Sequence, residues 1–136
     1  MGKSSTKRPG DFGPWVYKAE GDFRTAATMV RKRKDPAPDN VCFCAHQCVE
    51  KYLKAFLVFY KTGFPKTHSL QALLDIAVDL DPALEDLRDD LAHLESYAVE
   101  VRYPGENATV QESHTAVRHM RRVRRVLREK LGLGSL

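Results

Sequence analysis

Cys42, Cys44, His46, Cys48, Glu50, Lys51 and Lys54 crowd one short stretch of this chain, and each can carry charge, move a proton or hold a metal. Apolar residues at helical spacing run through the same stretch, which therefore reads as a helix. On that helix His46 and Glu50 stand one turn apart and can touch along one face. A histidine held by a carboxylate is the arrangement of a general base. It is also the arrangement of a hydrogen-bonded pair at an interface, and that is the expectation here. Cys44 and Cys48 are likewise one turn apart, but structural zinc takes four ligands at recognisable spacing. A second Cys/His pair is absent from the sequence. No metal is expected, and the thiols read as small apolar residues. There is no glycine-rich phosphate loop. No cofactor is expected, and a nucleotide, if held, must be held by side chains.

The next concentration of charge lies at the end of the chain. Arg118, Arg121, Arg122, Arg124, Arg125, Arg128 and Lys130 are opposed locally by Glu129 alone, while Asp75, Asp79, Asp81, Glu85, Asp86, Asp89 and Asp90 crowd the middle. The net charge is only +4, so the asymmetry is one of distribution. Arg118, Arg121, Arg122, Arg125 and Arg128 cover most of the surface that an apolar stripe leaves over, and form a basic surface. Nucleic acid, an acidic partner or plain solvation would each suit it. Two opposite faces of one bundle, or a subunit attracting its twin, is the plainer account. No aromatic residues interleave with these arginines, so a stacking platform for single strands is not indicated.

The elements that must position these residues follow from length and pattern. The chain has 136 residues, which suits one domain with a real core. Residues 1–11 read as a disordered basic tail without the apolar middle of a secretory signal. Residues 12–131 read as a single bundle, and 132–136 as a flexible C-terminus. No apolar run approaches the roughly 20 residues that cross a bilayer. Three cysteines make no disulfide framework, so a reducing cytoplasm is the expected location.

A first helix is expected from Pro14 to Val30, with Trp15, Ala19, Phe23, Ala26, Ala27 and Val30 inward. Pro36 and Pro38 make the next segment a loop. Asp39 or Asn40 is expected to cap a second helix that runs to about Thr62 and ends at Gly63. Its core stripe is Ala45, Val49, Tyr52, Leu53, Phe56 and Tyr60. Phe43, His46, Glu50 and Leu57 form a flanking line that hints at an interface or a site edge, with Lys51 and Lys54 opposite. Ser69 caps a third helix carrying Leu70, Leu73, Leu74 and Ala77. Asp81-Pro82 opens a fourth, with Leu84, Leu87, Leu91 and Leu94. Thr109 or a neighbour starts the last, with Val117, Met120, Val123, Leu127 and Leu131 inward. The fold class is all-α, an up-and-down helical bundle of about five helices.

Three segments, in order, carry a more specific resemblance: Cys42 to Phe56, Phe64-Pro65-Lys66-Thr67-His68-Ser69-Leu70, and Tyr97-Ala98-Val99-Glu100-Val101-Arg102-Tyr103-Pro104. Together they resemble the HEPN domain family over roughly residues 12 to 130. The resemblance implies a small helical bundle, commonly a homodimer. It also implies one of two classes, ribonuclease toxins or non-catalytic relatives, some of which work beside a small nucleotidyltransferase. The ribonucleases share an arginine followed after four to six residues by a histidine. The histidine supplies an acid or base near neutral pH and the arginine a cation for the developing phosphorane.

Two positions bear on that motif. Arg88 and His93 have the right separation, but five helical positions turn a side chain by about 140°. They should not share a face, and His93 should point to solvent. Arg102 stands where the family's arginine falls, yet the next histidine is His114, too far along. Arg102 and the adjacent Tyr103 are therefore expected to form a ligand- or partner-binding surface rather than a catalytic one. Tyr103 could be the tyrosine that a nucleotidyltransferase partner modifies in related systems. Lys54 matches a lysine of the family's Glu-Lys-x-x-Lys stretch and is expected in solvent, or on a phosphate. Thr67-His68 matches a common pair, and His68 is expected to cap or staple the helix start. The reading leans away from an enzyme. It takes the chain as a binding module for nucleotide or RNA, in a toxin–antitoxin-like pair, with a metal-independent endoribonuclease using Arg102 or Arg88 and His93 as the alternative.

Overall fold

The computed structural model describes residues 10–97 and 104–134, apart from the side chain of Tyr97. Five α-helices follow one another: α1 (Gly13–Met29), α2 (Pro38–Phe59), α3 (Leu70–Leu80), α4 (Arg88–Tyr97) and α5 (Val110–Lys130). A 3₁₀ helix, Pro82–Leu87, leads into α4. No strand occurs among the described residues. The protein is an up-and-down helical bundle.

The core follows from where apolar residues recur. α2 is the centre, packed by α1, α3, α4 and α5. Val41, Ala45, Val49, Tyr52, Leu53, Phe56 and Leu57 are buried along it. Leu73 and Leu74 of α3, Leu91 and Leu94 of α4, and Met120, Val123 and Leu127 of α5 close on it. Each large apolar side chain fully buried this way contributes about 1.5–3 kcal/mol. A helix with neighbours on several sides must be apolar on several faces, and this is why the stripe of α2 is so wide.

Caps set the ends. Ser69 accepts a hydrogen bond from the Ala72 amide at 3.1 Å, as its side-chain chemistry requires. Asp81 accepts from the Ala83 amide at 3.2 Å. Thr109 and Glu112 make a reciprocal capping box at the start of α5. The expected ends of α2 need correction. Ala37, not Asp39 or Asn40, is the N-cap, and Pro38 takes the first turn, where its missing N–H costs nothing. Asp39 instead accepts from the Ala108 amide at 2.7 Å, which pins the entry to α5 against the entry to α2. α2 stops at Phe59 rather than near Thr62. Lys61, not Gly63, takes the left-handed conformation, with φ 55°. The early stop turns Tyr60 outward, so this expected core residue is exposed. The fourth expected helix is two elements, because the segment opened by Asp81-Pro82 winds as 3₁₀ before relaxing to α.

Candidate functional site

α2 carries Glu50 into a nearly closed position, 3% exposed. A buried carboxylate must be paired, and Glu50 gathers three cationic or titratable neighbours. Lys54, one turn on, donates to Oε2 at 2.9 Å. His46, one turn back, brings Nδ1 to 3.8 Å from Oε1. His68, from the loop before α3, places Nδ1 3.2 Å from both carboxylate oxygens. Three of the six residues expected to bind a ligand or partner, Lys54, His46 and His68, thus meet on a fourth, Glu50. Arg102 and Tyr103, the other two, lie outside the described residues.

Two expectations change here. Lys54 is not a solvated lysine but a buried one, since its ammonium serves Glu50 and lies 5.5 Å from the Trp15 ring centre and 5.8 Å from that of Phe64. Those rings are edge-to-face, with centroids 6.1 Å apart. His68 is not a cap. Thr67 and Ser69 do the local work, with Thr67 Oγ1 accepting from the Ser69 amide at 3.0 Å, and His68 is left to reach across to Glu50. Burial lowers the pKa of His46 and outweighs the opposing pull of Glu50 and Glu95. His46 is therefore a neutral ring beside the carboxylate at pH 7.

Beside this cluster opens a cleft of about 500 Å³, walled by Trp15, Phe64, Pro65 and Thr67 and edged by Lys54, Lys66 and His68. Trp15 is the chain's single tryptophan and reads from sequence as one more apolar position of α1. Its place at a cleft depends on where the 60–69 loop returns, which local pattern does not reveal.

A second polar cluster lies on another side of α2. Glu20 of α1 receives Arg124 through Nε at 2.7 Å and Nη2 at 2.8 Å, a bidentate pair. Tyr52 also donates its hydroxyl to Glu20. Arg128 donates to that hydroxyl at 3.1 Å and to the Gly134 carbonyl at 2.8 Å. Burial works to raise the Glu20 pKa, but hydrogen bonds and charge from Arg124, Tyr52 and Arg128 prevail and lower it. Burial and Glu20 push Tyr52 up to about 12. Arg128, expected on the basic surface, is thus inside the fold.

The remaining candidates fall apart from these. Arg88 is occupied by Glu85, Asp75 and Gln71, at 2.5, 2.9 and 2.7 Å. His93 is exposed, as expected, but it also stacks on His119, with centroids 4.5 Å apart. His119 Nδ1 in turn lies 2.8 Å from Asp90, which also receives Arg122. Arg122 is accordingly not an unopposed surface cation, whereas Arg118, Arg121 and Arg125 are exposed. The sequence places Asp90 only in an acidic run and does not single out His119, and only the i, i+3 spacing of His119 and Arg122 hints that they share a partner. Burial raises the pKa of Cys44 and Cys48, so both are thiols rather than thiolates. Among the described residues no group of His, Cys, Asp and Glu could hold a metal ion, and no helix is long and apolar enough to cross a membrane.

No curated protein and no solved structure matches the chain. A family model, that of the HEPN domain, matches residues 13–130, from the first residue of α1 to the last of α5. With all five helices inside the match, the chain belongs to the HEPN domain family.

Proposed function

We propose that this protein is a non-catalytic HEPN binding module that takes a nucleotide in the Trp15–Phe64 cleft. In this reading it is a homodimer and works beside a small nucleotidyltransferase, in a toxin–antitoxin-like pair. One observation carries it: aromatic rings and cations converge on a single open cleft. Its volume of about 500 Å³ lies within the about 300–1,000 Å³ of small-ligand sites. A base stacked on an aromatic ring gains about 1–3 kcal/mol. Lys66 and His68 stand at the rim, where a phosphate would lie, while Lys54 is held below by Glu50.

Two points favour binding over cleavage. Arg88 is engaged by two carboxylates and so is poorly placed to serve a phosphorane. No histidine follows Arg102 before His114. An endoribonuclease remains the rival, with Arg102 or Arg88 acting with His93.

Trp15 is its own reporter. Titration with AMP and ATP should quench its fluorescence, and Lys66→Glu with His68→Ala should remove the response. An unchanged Trp15 signal at millimolar nucleotide sinks the cleft assignment. RNA cleavage by the purified protein that disappears in Arg102→Ala or His93→Ala establishes the rival.

A further inference from the structure

We infer that the α1–α2 loop and one face of α5 form a docking surface for the phosphate backbone of double-stranded DNA. It is a second surface, independent of the nucleotide cleft. Arg31, Lys32, Arg33 and Lys34 are consecutive and all exposed. The first three line a cleft of about 590 Å³, whose far wall is Val110 and His114 at the start of α5. From His114 the cations continue. Arg118, Arg121 and Arg125 fall within about 60° of His114 on the helix and extend about 16 Å along it. All of them are exposed.

What marks this strip is the lack of internal carboxylate partners among the described residues. On the acidic side the chain pairs its own charges: Arg88 with Glu85 and Asp75, Lys130 with Asp81, and Arg122 with Asp90. Among the described residues no carboxylate pairs with Arg31, Lys32, Arg33, Lys34, Arg118 or Arg125. Arg121 lies over the Phe23 ring at 5.2 Å instead. Clustered like charges repel one another, and a bound polyanion relieves that repulsion.

Charge complementarity points to phosphates, and the lining selects the form. Single strands are held by stacking on aromatic rings. Phe23, the aromatic ring that touches this strip, is covered by Arg121 and Arg124. Recognition of double-stranded RNA adds contacts to its 2′-hydroxyls, whereas the side chains named along this strip are chiefly guanidinium and ammonium groups, which suit phosphate. A DNA duplex presents one charge per about 1.7 Å of axis, which a straight cationic strip can follow.

The test is fluorescence anisotropy of a short labelled DNA duplex titrated with the full chain at rising salt. Binding should be firm at low salt. Replacing Lys32, Arg33, Arg118 and Arg125 together by glutamate should weaken it at least about tenfold. It should also flatten the dependence of log K on log salt by about 0.9 for each phosphate no longer neutralised. These residues make no ion pair in the fold, so circular dichroism and melting should match the parent. Lys66→Glu with His68→Ala should leave duplex binding unchanged, whatever it does to nucleotide binding. The inference fails if the parent ignores the duplex at low salt, or if the quadruple variant binds as the parent does. It also fails if single strands or double-stranded RNA of equal length bind more tightly, or if polyglutamate of equal charge competes as well as DNA.

Discussion

Glu20 of α1 and Glu50 of α2 are both drawn into the bundle, and both gather basic side chains, yet the two regions are built differently. Glu20 is met by guanidinium groups, which stay charged at every physiological pH and bind in a fixed fork. Its partners come from α2 and α5 while it sits on α1, so the cluster is a clasp between three helices. Glu50 is met by one ammonium and two imidazoles. Two of its partners lie on its own helix, and the third, His68, comes from a loop with its side chain 64% exposed. Arg124, by contrast, has a side chain 7% exposed. A similar ring of ionic partners therefore does not mean a similar role. Where partners are permanent and enclosed, the cluster fixes the fold. Where one partner is an exposed loop residue at the edge of a cleft, the cluster is open on that side.

The largest test of this contrast is Arg124→Ala. It leaves Glu20 inside with its main partner gone, and should cost about 3–5 kcal/mol in chemical denaturation. A loss below that of Lys54→Ala would reverse the ranking of the two clusters. Lys54→Ala should cost less, about 1–3 kcal/mol, because it removes one hydrogen bond to Glu50 where Arg124→Ala removes a bidentate pair. Ser69→Ala, which frees α3 at its start but touches neither cluster, should cost about 1 kcal/mol. That value sets the scale against which both are judged. Lys66→Glu should shift stability by no more than about 0.5 kcal/mol and act only on nucleotide binding.

Acid should separate the clusters by window. The pKa of His46 is lowered from 6.5 in the fold, so below pH 6.5 the unfolded chain binds more protons than the folded one. Stability should then decline as pH falls from there, and His46→Gln should flatten that part of the profile. Glu20 is lowered from 4.5. Its contribution is complete above pH 4.5 and is lost below it, a decline that Glu20→Gln should reduce. Thermal melts across this range check both, and a single transition insensitive to either substitution would merge the regions into one.

Much of the fold is legible in the residues themselves. Period places the helical segments, and Ser69, Asp81 and Thr109 mark three of their starts because each acts on an amide two or three positions away. The ends of α2 and the 3₁₀ stretch before α4 are not legible in this way. The contact of Glu50 with His46 is legible, the two being one turn apart, whereas Lys54, expected on the side opposite Glu50, in fact pairs with it. The contact of Glu50 with His68 is not legible, for it depends on how a loop returns. Nor are the burial of Lys54 under Trp15 and Phe64, or of Arg128 against Tyr52. A lysine or arginine in isolation belongs in water, and only a partner far along the chain changes that balance.

The sequence by itself determined the helices, their apolar faces and the all-α class, since these rest on local hydrogen bonds and on a period that repeats every few residues. Tertiary structure alone decided which charges are spent inside the bundle and which are left outside. Arg124 and Arg125 are neighbours with identical chemistry, yet one binds Glu20 and the other faces solvent. The cause is geometric. Successive helical positions point about 100° apart, and only the packing of α1 against α2 and α5 brings a carboxylate to one of those directions and not the other.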